Sequence, residues 1–105
     1  KLAELRQMET RIRFEVSQSV FDLNSAQDEV ASAKEAVLTA QKVLDGEWTL
    51  FDLSRSDSSD LLQAQSQLDV AERKVAQSLA EFNRAKIVLA RATGALLKDF
   101  GISIE

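Results

Sequence analysis

The sequence predicts an all-α protein, a long antiparallel two-helix coiled-coil hairpin whose turn lies near residues 54–57. The chain of 105 residues contains no proline and only three glycines, and it is rich in strong helix formers such as Ala, Leu, Gln and Glu. Apolar or small residues recur at alternating steps of three and four through two long stretches, which is typical of a coiled-coil seam. Between these stretches the run LSRSDSSD, which begins at Leu53, favours a turn and a new helix start.

The first helix is predicted over about residues 2–53. Its seam alternates large residues with small ones, and small residues allow two helix backbones to approach closely. The predicted seam residues that matter most in this helix are Leu23, Ala26, Val30, Ala33, Val37, Ala40 and Leu44. Gly46 costs about 1 kcal/mol relative to Ala within a helix, so a loosened or bent helix is one expectation there. Trp48 lies off the seam, where it fits either a contact residue or packing under the turn.

The tip is predicted at residues 54–57, and a second helix follows over about 58–98. Asp57 has the position of an N-cap, and Asp60 lies three residues later, where a carboxylate supports the first helical turn. The second seam repeats the alternation of large and small residues through Leu61, Ala64, Leu68, Ala71, Val75, Phe82, Ala85, Leu89 and Ala92. A short tail at 99–105 completes the single hairpin and is too short to be assigned a structure.

The register of the hairpin follows from folding the chain back at Ser54. This opposes Leu44 with Ala64 and Ala40 with Leu68, so each layer joins a large side chain to a small one. A shift by one heptad preserves the alternation, and the seam alone therefore leaves the register open. The position of the Asp57 cap favours the shorter connection.

Composition excludes several classes of function. The chain has no His and no Cys, which removes the usual general base, the thiol nucleophile and most transition-metal ligands, so we expect no enzyme, no cofactor and no metal site. Asp57 and Asp60 could hold a divalent cation only weakly, and helix capping already accounts for both. A net charge of −4 argues against a nucleic-acid partner. No apolar run approaches the roughly 20 residues of a membrane-spanning helix.

Charge is unevenly distributed along the predicted hairpin. Between residues 45 and 72 there are seven carboxylates against Arg55 alone, whereas the residues near both chain ends carry most of the cations. A solvated coiled-coil surface explains such charges without any function. An acidic tip is the alternative interpretation.

Apolar residues also lie off the seam at the end of the hairpin opposite the tip. They are Phe14, Val20 and Phe21 in the first helix and Ile87 and Val88 in the second. These residues could thicken the contact between the two helices. They could also pack against neighbours outside this chain, because exposed apolar patches usually mark an interface.

A set of short motifs carries a resemblance to a known family. The first helix contributes Ile12-Arg13-Phe14-Glu15-Val16, and the second opens with SSDLLQAQSQL from Ser58. The second helix continues at helical spacing with Ala71, Ala85, Leu89 and Arg91-Ala92-Thr93-Gly94. In this order, over about residues 8 to 95, the motifs resemble the C-terminal half of the TolC-type outer membrane efflux proteins.

The resemblance implies a periplasmic helical hairpin of an outer membrane protein from a Gram-negative bacterium. In that family, hairpins from three chains assemble side by side into a hollow α-barrel that serves as a passive conduit for efflux or secretion. The partners implied are further copies of the channel protein, a periplasmic adaptor protein and an inner membrane transporter. Membrane contact would occur only through parts that are absent from this chain, and the isolated hairpin could self-associate as a dimer.

The resemblance also implies where the adaptor docks. The docking segment corresponds to the tip residues Leu53, Ser54, Arg55, Ser56 and Asp57. The sequence departs from the family pattern here, since Ser54 stands where a glycine is expected and Arg55 where an apolar residue is expected.

Two other interpretations remain open at this stage. The hairpin could belong to a periplasmic adaptor, since adaptor hairpins also form long coiled coils, although the ending Arg91 to Gly94 argues against this. It could also be a coiled-coil spacer or dimerisation module with no transport role. Flanking strands rich in aromatic residues would indicate an outer membrane barrel, and a lipoyl-like β domain would indicate an adaptor.

Overall fold

A computed structural model describes residues 1–99 of the chain, with side chains through residue 95. It consists of two helices, α1 over Leu2–Asp52 and α2 over Ser58–Asp99, and the described residues contain no strand. The predicted all-α helical hairpin is confirmed. Helix α2 extends one residue beyond the predicted end, to Asp99, and the remainder of the predicted tail, residues 100–105, lies outside the described residues.

The hairpin divides into two compact units, each built from a stretch of both helices. One unit comprises residues 1–27 and, among the described residues, 81–99, and we call it the terminal unit. The other comprises residues 28–80 and includes the turn, and we call it the tip unit.

The core of the tip unit is a small cluster in which large side chains meet small ones. Leu44, Ala64 and Leu68 are buried together, and Val37, Ala40 and Leu61 pack against them. Burial of one leucine side chain contributes about 1.5–3 kcal/mol, and Ala64 leaves the space that the two leucines fill. This cluster corresponds to the register in which Leu44 opposes Ala64 and Ala40 opposes Leu68, and not to the register shifted by one heptad.

Burial follows one narrow stripe along each helix. All sixteen predicted seam residues are buried or half-buried, whereas the residues between them are mostly exposed. The stripe also contains polar residues at seam positions, namely Glu9, Ser19, Glu47 and Ser78. No large side chain among the described residues is completely buried, because a pair of helices covers only one side of each.

The terminal unit has few buried residues. Ile12, Ser19 and Ala26 are buried, and all three lie at seam spacing on α1. Phe14 and Phe21, by contrast, leave about two thirds of their surface exposed, at 66% and 64%. The off-seam apolar residues therefore do not thicken the contact between the helices.

Gly46 lies inside α1, which continues through it to Asp52. A Cβ atom built at this glycine would meet no other atom within 4 Å. The helix is therefore not interrupted at Gly46, and nothing in the tip unit requires the absence of a side chain there.

Candidate functional site

The end of α1 is fixed by a left-handed residue. Ser54 has a φ of 59°, a conformation in which glycine is the usual residue. The Arg55 amide donates to the Leu50 carbonyl at 2.8 Å, and the Ser54 amide donates to the Phe51 carbonyl at 2.9 Å. These two bonds form a Schellman motif, which satisfies carbonyls that a helix end leaves unpaired. The predicted tip begins at this motif.

The start of α2 is capped as the sequence predicts. The Asp60 amide donates a hydrogen bond to the Asp57 carboxylate at 3.0 Å, which identifies Asp57 as the N-cap. The Asp60 carboxylate lies in the first turn, where the positive end of the helix dipole favours a negative charge. Of the two carboxylates considered for a weak cation site, Asp57 thus serves as the cap, and Asp60 lies in the first turn beside the Ser56 hydroxyl.

Ser56 joins the tip to α1. Its hydroxyl donates to a carboxylate oxygen of Glu47 at 2.7 Å, and it lies 3.4 Å from a carboxylate oxygen of Asp60. Glu47 and Ser56 are both half-buried, so this hydrogen bond fixes the path of the turn over the end of the seam. Sequence reasoning did not find the pair, because the two residues are nine positions apart and meet only once the turn has formed.

The tip presents a mixed surface to its surroundings. Leu53 is 60% exposed, and Ser54, Arg55 and Asp57 are exposed as well. Ser56 is the one half-buried residue of the predicted docking segment. The available surface at the turn is thus one leucine and one guanidinium beside a capping carboxylate.

The tip unit has two different sides, one to each side of its seam. Open grooves follow one of them, which we call the groove side. Small or short side chains line much of it, including Ser32, Ala36, Thr39 and Ala71. Val43 and Gln67 line it as well. A surface of small residues permits close approach of another helix.

The opposite side of the tip unit is apolar and acidic, and we call it the acidic side. With 3.6 residues per turn, Leu38, Asp45 and Trp48 of α1 lie on the other side of the seam from the groove residues. Leu62 and Asp69 of α2 lie there as well. Leu38, Trp48 and Leu62 are 58%, 50% and 69% exposed.

Trp48 is both packed and exposed. Its ring meets the half-buried ring of Phe51 edge to face, with centroids 6.1 Å apart and an interplanar angle of 89°. Such pairs contribute about 0.5–1.5 kcal/mol beyond their buried area. Phe51 therefore packs against the indole while half of the surface of Trp48 remains exposed.

The terminal unit combines exposed apolar residues with paired charges. Glu9 and Arg13 form an ion pair at 3.0 Å, and Glu81 and Arg84 form another at 3.5 Å. The Lys86 amine lies 5.0 Å from the centre of the Phe82 ring, within the range of a cation–π contact. All of these groups are close in sequence and stabilise individual helices.

Within residues 1–99 no group of three or more carboxylates is placed to hold a metal ion. Over the same residues, neither helix combines the length and the apolar character that crossing a bilayer requires. Comparison with family models, with curated proteins and with solved structures finds no match in any of the three.

Proposed function

We propose that this chain is a wall segment of the periplasmic α-barrel of a trimeric outer membrane efflux or secretion channel, similar to the TolC-type proteins. In this role the hairpin is a passive structural element that packs beside other hairpins around a conduit. Its tip meets a periplasmic adaptor protein, and the adaptor connects it to an inner membrane transporter.

The observation that carries the proposal is the narrowness of the buried stripe. In both units the pair of helices covers one seam only and leaves large apolar side chains exposed on its other surfaces. In the terminal unit Phe14, Phe21 and Ile87 are 66%, 64% and 54% exposed. Exposed apolar surface on this scale indicates further partners, and a hairpin that packs beside other helices acquires them.

The style of packing supports the same role. Alanines at Ala26, Ala33 and Ala64 are buried at 9%, 4% and 3% exposure, so the helices of each unit can approach closely along the seam. A closely packed pair forms a single layer that is two helices wide. Such a layer is suited to a wall that is one helix thick, and the motif resemblance to the efflux proteins indicates a wall of this kind.

Cellular location tests the proposal first. An antibody raised against this chain should detect a polypeptide in the outer membrane fraction of the source cell. Detection in the inner membrane fraction would favour the adaptor hairpin instead, and detection in the cytosol would favour the spacer. Either of these results would overturn the proposal.

The oligomeric state provides a second test of the proposal. It is measured on the protein that carries this chain, after extraction from the membrane. Glutaraldehyde cross-linking should give a ladder that ends at the trimer. The variant Phe21→Asp should lose the trimer, because it places a carboxylate in the apolar contact between neighbouring hairpins. The hairpin itself should still fold, because the Phe21 side chain is exposed within it. The control Glu35→Gln changes an exposed polar residue and should leave the trimer intact. A ladder that ends at the dimer would contradict the proposed wall.

A further inference from the structure

We propose that the acidic side of the tip unit is a docking surface for a basic amphipathic helix supplied by another protein. The surface extends along α1 from Leu38 to Asp52, together with the stretch of α2 that lies beside it. This inference concerns a side of the hairpin rather than its turn, and it does not depend on the proposed function.

The acidic side exposes several large apolar side chains. Trp48 and Leu62 lie close to the turn, and Leu38 lies farther along the same side of α1; each leaves at least half of its surface exposed. Phe51 packs edge to face against the indole of Trp48, and this contact lowers the rotational freedom that the indole loses when a partner covers it. Rigid aromatic side chains of this kind are frequent anchors of protein interfaces.

The same side is negatively charged. Carboxylates lie between the apolar residues on this side, at Asp45 and Asp52 of α1 and at Asp69 and Glu72 of α2. Asp45 and Asp69 each accept a hydrogen bond from the glutamine four residues earlier. No carboxylate within residues 28–80, all of which the structure describes, forms an ion pair. Charges without a counter-ion beside exposed apolar residues match a helix that presents Lys and Arg next to apolar anchors.

The charge of the tip unit argues against a second tip unit as the occupant. Residues 28–80 contain ten carboxylates and five cations. The groove side is also acidic, with Glu29, Glu35 and Glu47 among its lining residues. A second tip unit placed against the acidic side would therefore bring like charges together, and like charges oppose association.

The length of the surface sets the length of the occupant. Residues 38–52 of α1 extend about 22 Å at 1.5 Å per residue, so a partner helix needs about four turns to cover this surface. Such a helix would pack against α1 and α2 on the acidic side, as the third helix of a coiled coil.

The only tryptophan of the chain provides the assay, because Trp48 lies within the proposed surface. The probe is an 18-residue peptide without tryptophan that has leucines at helical spacing and lysines on both flanks of that stripe. Titration of the full chain with this peptide should shift the Trp48 emission to shorter wavelength and saturate at one peptide per chain. A peptide of the same pattern with glutamate in place of lysine should bind at least 20-fold more weakly.

Matched variants test whether the surface itself is responsible. The double variant Asp45→Asn/Asp69→Asn removes two charges from the acidic side and should weaken binding of the lysine peptide at least fivefold. The control Asp28→Asn/Glu35→Gln removes two charges elsewhere in the tip unit and should change binding less than twofold. The variant Leu62→Ser should weaken binding at least fivefold, and its helix content should remain that of the unmodified chain, since Leu62 is 69% exposed.

Three results would overturn the inference. Equal weakening by the two double variants would mean that the peptide responds only to net charge. Equal binding of the lysine and glutamate peptides would remove the charge argument. A shift of the Trp48 emission with chain concentration alone would identify a second copy as the occupant. None of these results bears on the location or the trimeric state of the protein, so the proposed function is tested separately.

Discussion

Ser54 is the residue at which a single substitution should make this hairpin more stable. Its φ of 59° lies in the left-handed region, where a side chain that starts at Cβ crowds the backbone. For residues other than glycine this conformation costs about 1–2 kcal/mol. Glycine avoids the clash but loses more conformational freedom on folding, which costs about 0.5–1 kcal/mol. We expect Ser54→Gly to raise the free energy of unfolding by about 0.5–1 kcal/mol as the difference between these terms.

Urea denaturation of the full chain, followed by circular dichroism at 222 nm, measures the effect. With a slope of about 1–2 kcal/mol per molar urea, the midpoint should rise by about 0.3–1 M. The control is Ser54→Ala, which removes the hydroxyl and keeps Cβ, and its midpoint should stay within about 0.3 M of the unmodified chain. If both substitutions raise the midpoint equally, the hydroxyl and not the backbone conformation is responsible, and the reasoning is wrong.

Three other predictions concern the seam and the caps, and each uses the same denaturation assay. Ala64→Leu should lower the free energy of unfolding by about 1–3 kcal/mol, because Ala64 is 3% exposed and has no room for a larger side chain, whereas Ala76→Leu at an exposed position should change it little. Asp57→Ala should cost about 1 kcal/mol through loss of the N-cap bond, and Asp57→Asn should restore most of it; equal loss in both would contradict the capping role. Gly46→Ala should add about 1 kcal/mol, since the new methyl group meets open space within a helix; a lower stability would show that Gly46 is needed for another reason.

The seam could be predicted from the sequence because its signal is local and repeated. Residues such as Leu44 and Leu68 recur every seven positions with alanine between them, and no tertiary information is needed to place them on one stripe. The same spacing places Ser78 on the stripe, whereas Ser19 and Glu47 have no apolar character that would indicate a seam position. Ser19 is 6% exposed, and Glu47 is half-buried, because the geometry of the helix carries them into the seam regardless of their polarity.

The tip could be predicted only in part. The cap at Asp57 has a sequence signature, and the structure contains the hydrogen bond that the signature implies. The Schellman motif has none here, since its left-handed position is occupied by serine instead of the usual glycine. The bond from Ser56 to Glu47 depends on the path of the turn, which local patterns do not define.

The left-handed backbone at Ser54 determines the shape of the tip, whereas the side chains of the tip determine its chemistry. A glycine expected at this position by resemblance would serve to adopt a positive φ, and Ser54 adopts one nevertheless. The amide of Arg55 then completes the Schellman motif, for which its side chain is not needed. The turn therefore retains a shape that a glycine would give, while it presents a guanidinium and a serine hydroxyl where an apolar docking segment would present neither. If the tip docks on an adaptor, we expect the contact surface of that adaptor to differ in chemistry from one that binds an apolar tip. The shape of the turn that it must fit should be the same. The substitutions Ser54→Gly and Arg55→Leu distinguish these two factors: the first should leave adaptor binding unchanged, and the second should weaken it.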